Sequence, residues 1–235
     1  MSGRPEFLIV NIASPAMFVG HSVAGTAADT DIATDDHGLP RLPRHRLAAR
    51  LRAAAVGVVR AEPGLLDAAE EVFGVPRSHD RERLVLIDDA RCAEPIRAAV
   101  AYALHQRGHR PGTSPDGPAA VLVRSVTDAF TSLESGVEVD ADGAPISGRL
   151  RTNRVLNPGI RLVAPLRWQG EPQTDHLRLL ARAALATTQA GHRETRGRGR
   201  IDVRLGPAST SGEEHEATLE WAGLPPREQR SPEDT

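Results

Sequence analysis

Nine residues combine guanidinium groups with glycines: His192-Arg193-Glu194-Thr195-Arg196-Gly197-Arg198-Gly199-Arg200. Glycine lets the main chain come close to a ligand and adopt dihedrals closed to other residues. The guanidiniums are planar forks of donors that match phosphate oxygens. Arg193, Arg196, Arg198 and Arg200, with Gly197 and Gly199, are therefore candidate contacts for a polyanion. The plainer reading of the same segment is a solvated connector. A second set, Arg44, Arg46 and Arg50, lies with Arg41 and Arg52 around one predicted helix start, and a third comprises Arg149, Arg151 and Arg154. All 29 basic residues are arginine, an excess that a GC-rich genome would produce by codon bias alone. Placement is the better signal.

Other chemistry is sparser. Asp29, Asp31, Asp35 and Asp36 crowd one loop. Clustered carboxylates can hold a hard cation or move protons, but this spacing is not a calcium loop, and a solvated acidic loop explains it as well. His45, among the arginines, and His21 could act as general acid or base on a ribose-phosphate backbone. No Ser/His/Asp pattern is legible, and without lysine there is no phosphate-binding Gly-x-x-x-x-Gly-Lys loop. The single Cys92 excludes an internal disulfide and reads as a small buried hydrophobe.

Composition limits the class. The chain has 235 residues, is 40% hydrophobic and carries a net charge of −2, enough for one sizeable core and no global attraction to nucleic acid. No signal peptide or membrane-length apolar run is evident, so a cytoplasmic protein is expected.

The elements that must position these groups follow from hydrophobic spacing. Phe7 to Ile12 reads as a central strand, and the helical recurrence of Leu47, Leu51, Ala54, Ala55 and Val58 as an amphipathic helix. Strands are expected at Arg83–Asp88, Ala120–Arg124, Ile160–Trp168 (edge or broken, because of Pro165), Ile201–Leu205 and Ala217–Trp221. A hairpin is expected near Val137 to Ile146, turning at Asp142-Gly143. Helices are expected at Ile96–Gln106 and around Leu177–Leu185. Residues 1–222 then form one α+β domain, a ferredoxin-like or RRM-like antiparallel sheet with helices on one face and long loop insertions, and 223–235 a disordered tail. Aromatics are only 3% of the chain, against a sequence-reading RRM that stacks bases on its sheet. Contacts to phosphate and sugar position a strand without reading it, which suits specificity supplied by base pairing.

In order, several segments resemble the RAMP superfamily of CRISPR effector subunits. They are the opening strand and its loop, Asp29-Thr30-Asp31-Ile32-Ala33-Thr34-Asp35, Gly38-Leu39-Pro40, Leu42-Pro43 and Leu47-Ala48-Ala49-Arg50-Leu51-Arg52. Glu71-Val72-Phe73-Gly74, the strand ending in Asp89-Ala90, and the Gly-rich loop complete the series. The resemblance is nearest to the backbone subunit of type III effector complexes. It implies an RRM-like subunit that binds CRISPR RNA and target RNA among other effector subunits. It also implies an endonuclease role for Asp29, with Mg2+ or another divalent metal, and Asp31 is the fallback. Where the family has Pro-Gly-Ser-Ser-Leu-Lys-Gly, this chain has Pro43-Arg44-His45-Arg46-Leu47-Ala48-Ala49, so arginines replace the guide-contacting lysine or the contact differs. Two alternatives remain: a metal-independent guide-processing endoribonuclease using His45 or His21, and an assembly subunit that touches no RNA.

Overall fold

The opening strand β1 (Phe7–Ile12) forms where it was expected, because Leu8, Val10 and Ile12 give one wholly apolar face. The computed structural model describes residues 3–20, 28–74, 83–108, 118–139, 145–192, 197–206 and 213–225. Their order is β1, β2 (Arg41–Leu42), α1 (Arg44–Ala61), α2 (Leu66–Phe73), β3 (Val85–Ile87), β4 (Ala90–Cys92) and α3 (Glu94–His105). Then come α4 (Pro118–Phe130), β5 (Thr131–Val139), β6 (Pro145–Leu156), β7 (Arg161–Trp168), α5 (Thr174–Ala186), β8 (Ile201–Gly206) and α6 (Glu214–Ala222).

The main sheet is antiparallel, in the order β2-β4-β7-β1-β8, with β3 also on β7. Read as β1-α1-β4-β7-α5-β8, this is the βαββαβ ferredoxin-like arrangement. The fold expectation holds, insertions included: residues 13–40 precede α1, and everything from α3 to β6 is interposed between β4 and β7. Leu47, Leu51 and Ala55 repeat every four residues along α1, and they meet Leu179, Leu180 and Ala183 of α5 over Leu8, Val10 and Val203. Four-residue spacing lays side chains on one helix face, and strand alternation lays them on one sheet face, so a single core results.

Three expectations need correction. Ala120–Arg124 is not a strand but part of α4, where half-buried Leu122, Val123, Val126 and Phe130 follow helical spacing. Ala217–Trp221 is part of α6, with Glu214, Thr218 and Trp221 buried at i, i+4 and i+7. Short apolar runs cannot be assigned to helix or strand by period alone. For Pro165 only the edge alternative fails: β7 lies between β1 and the β3/β4 pair, and the ladder on the β3/β4 side is broken there. Residues 162–163 pair with β4 and 166–168 with β3, so Pro165 faces the gap between them. Its carbonyl accepts from Asp88 N at 3.0 Å, and the N–H it lacks would point into that same gap.

The hairpin is present but much longer than its signal, with Thr131 opposite Leu156 and Val139 opposite Pro145. Its turn, Asp142-Gly143, lies outside the described residues, as does the tail from residue 226. No helix among the described residues is long and apolar enough to cross a membrane.

Candidate nucleic-acid interface

The first helix begins with an unmet electrostatic need. Pro43 occupies its N-cap and contributes no side-chain bond, and the first turn holds no acidic residue. The missing acceptor comes from the β3–β4 turn. Asp89 Oδ1 accepts from Arg44 N at 2.8 Å, while Oδ2 accepts from Arg41 Nη1 at 2.9 Å and Arg91 Nη2 at 3.3 Å. Burial by itself would raise the Asp89 pKa, but the Arg44 amide and the Arg41 and Arg91 guanidiniums outweigh it and hold the carboxyl below its ordinary 3.8.

A carboxylate shifted this way stabilises the fold fully above its unfolded pKa, and the contribution fades as pH falls below 3.8 toward the lower folded value. Asp89→Ala should therefore cost about 1–2 kcal/mol at neutral pH, through the lost helix cap and the two stranded arginines. The gap between variant and parent in urea unfolding should narrow below pH 3.8. An equal gap at pH 7 and pH 3 would contradict this role.

Around this hub lies an open cavity of about 1000 Å3, floored by Phe7, Val163 and Pro165 on the sheet face turned away from α1 and α5. Its cationic wall is Arg41, Arg44, Arg46, Arg91 and Arg97. Arg41 and Arg91 share Asp89, and Arg97 pairs with Glu94 at 2.8 Å. Arg44 and Arg46 have no carboxylate partner among the described residues, so the surplus positive charge collects at the first turn of α1. His45 is exposed between them. Arg50, one turn further on, is half-buried, interacts with another group and does not line the cavity. Arg91 and Arg97 went unnoticed in the sequence because they stand singly.

The Gly-rich loop is not a loose connector in its described part. Gly197 (φ 73°) and Gly199 (φ 71°) occupy the left-handed region that glycine tolerates. Gly199 N donates to Pro15 O at 2.8 Å, Arg200 N to Ser14 Oγ at 2.9 Å, and Ala190 N to Gly199 O at 2.9 Å. Arg198 forms an ion pair with Glu134 of β5, and Arg200 is exposed. Arg193 and Arg196 lie outside the described residues.

Asp29 belongs to the same neighbourhood. Residues 28–31 run along β6: Asp29 N donates to Thr152 O at 2.7 Å, Thr152 N to Asp29 Oδ2 at 2.6 Å, and Arg154 N to Thr30 O at 3.0 Å. Thr30 bridges to Asn153, and Asn153 lies opposite Glu134. The Asp29 segment and the Pro15–Ala16 segment that holds Gly199 thus both lie along β6, and the Arg198 side chain reaches Glu134 on its partner strand β5.

The other candidates separate into structural roles. Asp31 is buried against Arg154, Nε to Oδ1 3.2 Å. Arg154 is itself buried and also holds Asp128, so it is not a free cation. Asp35 closes a turn by accepting from His37 N and Leu39 N, both at 3.0 Å. No group of three potential metal ligands occurs among the described residues. Of the four aspartates of this loop, Asp29 and Asp36 are exposed, and Mg2+ is commonly held by one or two carboxylates together with phosphate oxygens. The donor set fits a metal only if bound RNA completes it.

These parts do not form one compact pocket. The α1 cluster lies beyond the Phe7 end of the sheet beside edge strand β2, and the Gly-rich loop enters at the Ile12 end on edge strand β8. Four strand spacings, about 19 Å, separate those edges. Only an extended ligand could reach both.

No protein-family model and no curated protein sequence matches the chain. Its fold is shared with solved structures. A chain of the type III-B Cmr-beta complex bound to cognate target RNA, solved by cryo-EM, superposes with a TM-score of 0.58 at 11% identity, covering 85% of this chain and 96% of that one. A chain of Cmr-beta in its apo state gives 0.59 at 12% identity, covering 86% and 97%. At such identities the comparison establishes the architecture, and this chain shares that architecture with subunits of a type III-B complex.

Proposed function

We propose that the chain is a RAMP-type subunit of a type III CRISPR effector complex, binding guide RNA through its sugar-phosphate backbone. The observation that carries this reading is the basic cavity on the open sheet face, built around the first turn of α1 in this ferredoxin-like fold. Arg44 and Arg46 supply charge there without compensation, and the Arg198 to Arg200 segment offers a second hold across the sheet. Two grips at diagonal corners suit a strand laid across the face rather than a small ligand.

A target strand paired to that guide would pass the hairpin near Asp29. A divalent metal bound there would polarise a phosphodiester and lower the pKa of water. The chain's own contribution is to fix one oxygen of Asp29 on Thr152 N, leaving Oδ1 directed by that bond.

Purification from the native host, followed by extraction of bound nucleic acid, should yield repeat-derived RNA together with further effector subunits. Recovery of neither would sink the reading. Asp29→Ala should abolish Mg2+-dependent cleavage of paired target RNA and leave guide binding within about twofold. Unchanged cleavage would remove Asp29 from the role.

A second reading rests on His45, exposed between two arginines at the lip of the cavity. In that case the chain cuts guide precursors without metal, using His45 as acid or base. Cutting in EDTA that is lost in His45→Ala would favour it.

A further inference from the structure

A second cavity, of about 310 Å3, adjoins the first behind the start of α1. Four arginines from three parts of the chain reach it: Arg44 and Arg52 from α1, Arg83 from the segment entering β3, and Arg167 from β7. His45 adds a fifth polar group, and no carboxylate is among the described residues that line it. This is unlike the larger cavity, where Asp88, Asp89 and Glu94 offset part of the charge. Two of the guanidiniums are already held. Arg52 donates to the Phe73 carbonyl, and Arg167 Nη2 donates to Asp88 Oδ1 at 2.8 Å. Their other donors remain for a ligand at reduced entropic cost. The opposite wall is apolar, formed by Val72, Phe73, Val85 and Ile87.

We propose that this cavity binds the phosphomonoester of a nucleotide, with the nucleoside against the apolar wall. Three features select that chemistry. Planar multi-donor forks match phosphate oxygens. Three arginines without a carboxylate partner among the described residues, beside a fourth paired with Asp88, favour a dianionic monoester over the singly charged diester inside a strand. The volume is near the lower end of ligand sites, roughly 300–1,000 Å3, which admits one nucleotide and little more. A free nucleotide and the phosphorylated end of an RNA carry the same group. This site goes beyond the guide-backbone reading and does not depend on it.

The test is calorimetric titration of the full chain with uridine 5′-monophosphate, uridine and inorganic phosphate. It includes a short RNA bearing either a 5′-phosphate or a 5′-hydroxyl. Uridine 5′-monophosphate should bind and uridine should not. Arg83→Ala and Arg167→Ala should each weaken binding about tenfold, the worth of one charge-assisted hydrogen bond. Preference for the phosphorylated RNA over the free nucleotide identifies a strand end as the source, and the reverse identifies a free nucleotide. Inorganic phosphate binding as tightly as the nucleotide would overturn the nucleoside assignment. Equal binding of uridine and its monophosphate, or indifference to both substitutions, would overturn the site. Guide RNA recovered with the Arg83→Ala protein keeps this outcome distinct from failure of the guide-binding proposal.

Discussion

Replacing Arg154 by alanine should lower the unfolding free energy by about 3–5 kcal/mol, the range for removing one partner from a buried ion pair. Its side chain is 6% exposed and reaches three elements: Asp31 in the long first insertion, Asp128 at the end of α4 (Nη1–Oδ1 2.5 Å), and the Thr131 hydroxyl at the start of β5 (2.9 Å). Removing the guanidinium strands the Asp31 carboxylate, which is 9% exposed. That penalty is desolvation, and it exceeds what a surface pair of the same geometry would show. Arg154→Lys keeps the charge but presents a point donor where a fork is needed, so it should fall between the parent and alanine. Arg154→Met combined with Asp31→Asn should recover part of the loss, since no buried charge is left unmatched. Urea unfolding at constant slope measures all three. A loss below 1 kcal/mol for Arg154→Ala would show that the triad is not coupled to global stability.

Much of the scaffold was legible from side-chain periodicity. Phe7 to Ile12 and Leu47 to Val58 carry patterns that only one element satisfies, so β1 and α1 emerged in place. The Gly-rich loop was legible as glycines that need unusual dihedrals, which Gly197 and Gly199 adopt. What failed depended on long-range partners. Thr218 in α6 is buried because its hydroxyl accepts from Leu205 N at 2.8 Å, a relation no local window contains. Arg154 appeared as one of three surface cations because its carboxylates lie 123 residues upstream and 26 upstream in sequence, at Asp31 and Asp128. Asp89 was noticed only as the end of a strand motif, while its work is to cap a helix 45 residues earlier.

Gly38→Ala is the second substitution expected to have a large effect. Its φ of 81° lies in the left-handed region, and a Cβ there would approach the Val123 carbonyl oxygen of α4 to 2.3 Å. The conformational penalty is about 1 kcal/mol, and forced displacement of a packed neighbour adds roughly 1–3 kcal/mol. The obstacle is helix backbone, which cannot swing aside as a flexible side chain can. Thr127 Oγ1 donates to Gly38 O at 2.9 Å, so the same bond that binds α4 to this turn would be strained. A melting temperature lower by about 5–15 °C is expected. A change within 1 °C would refute the close approach. Because α4 also carries Asp128, the Gly38 and Arg154 substitutions should be non-additive by at least about 0.5 kcal/mol in a double-mutant cycle.

Pro165 gives the sheet a defect with a use. The registers on its two sides differ by one residue: three residues, Asp88 to Ala90, stand opposite two, Ala164 and Pro165, which is the count of a β-bulge. With no hydrogen to offer, the ring leaves no donor unpaired opposite that bulge, while its carbonyl still accepts from Asp88 N. The vacancy in the ladder thereby releases a carboxylate to serve a helix on a different layer. A missing donor in one strand thus helps fix where the neighbouring cationic surface begins.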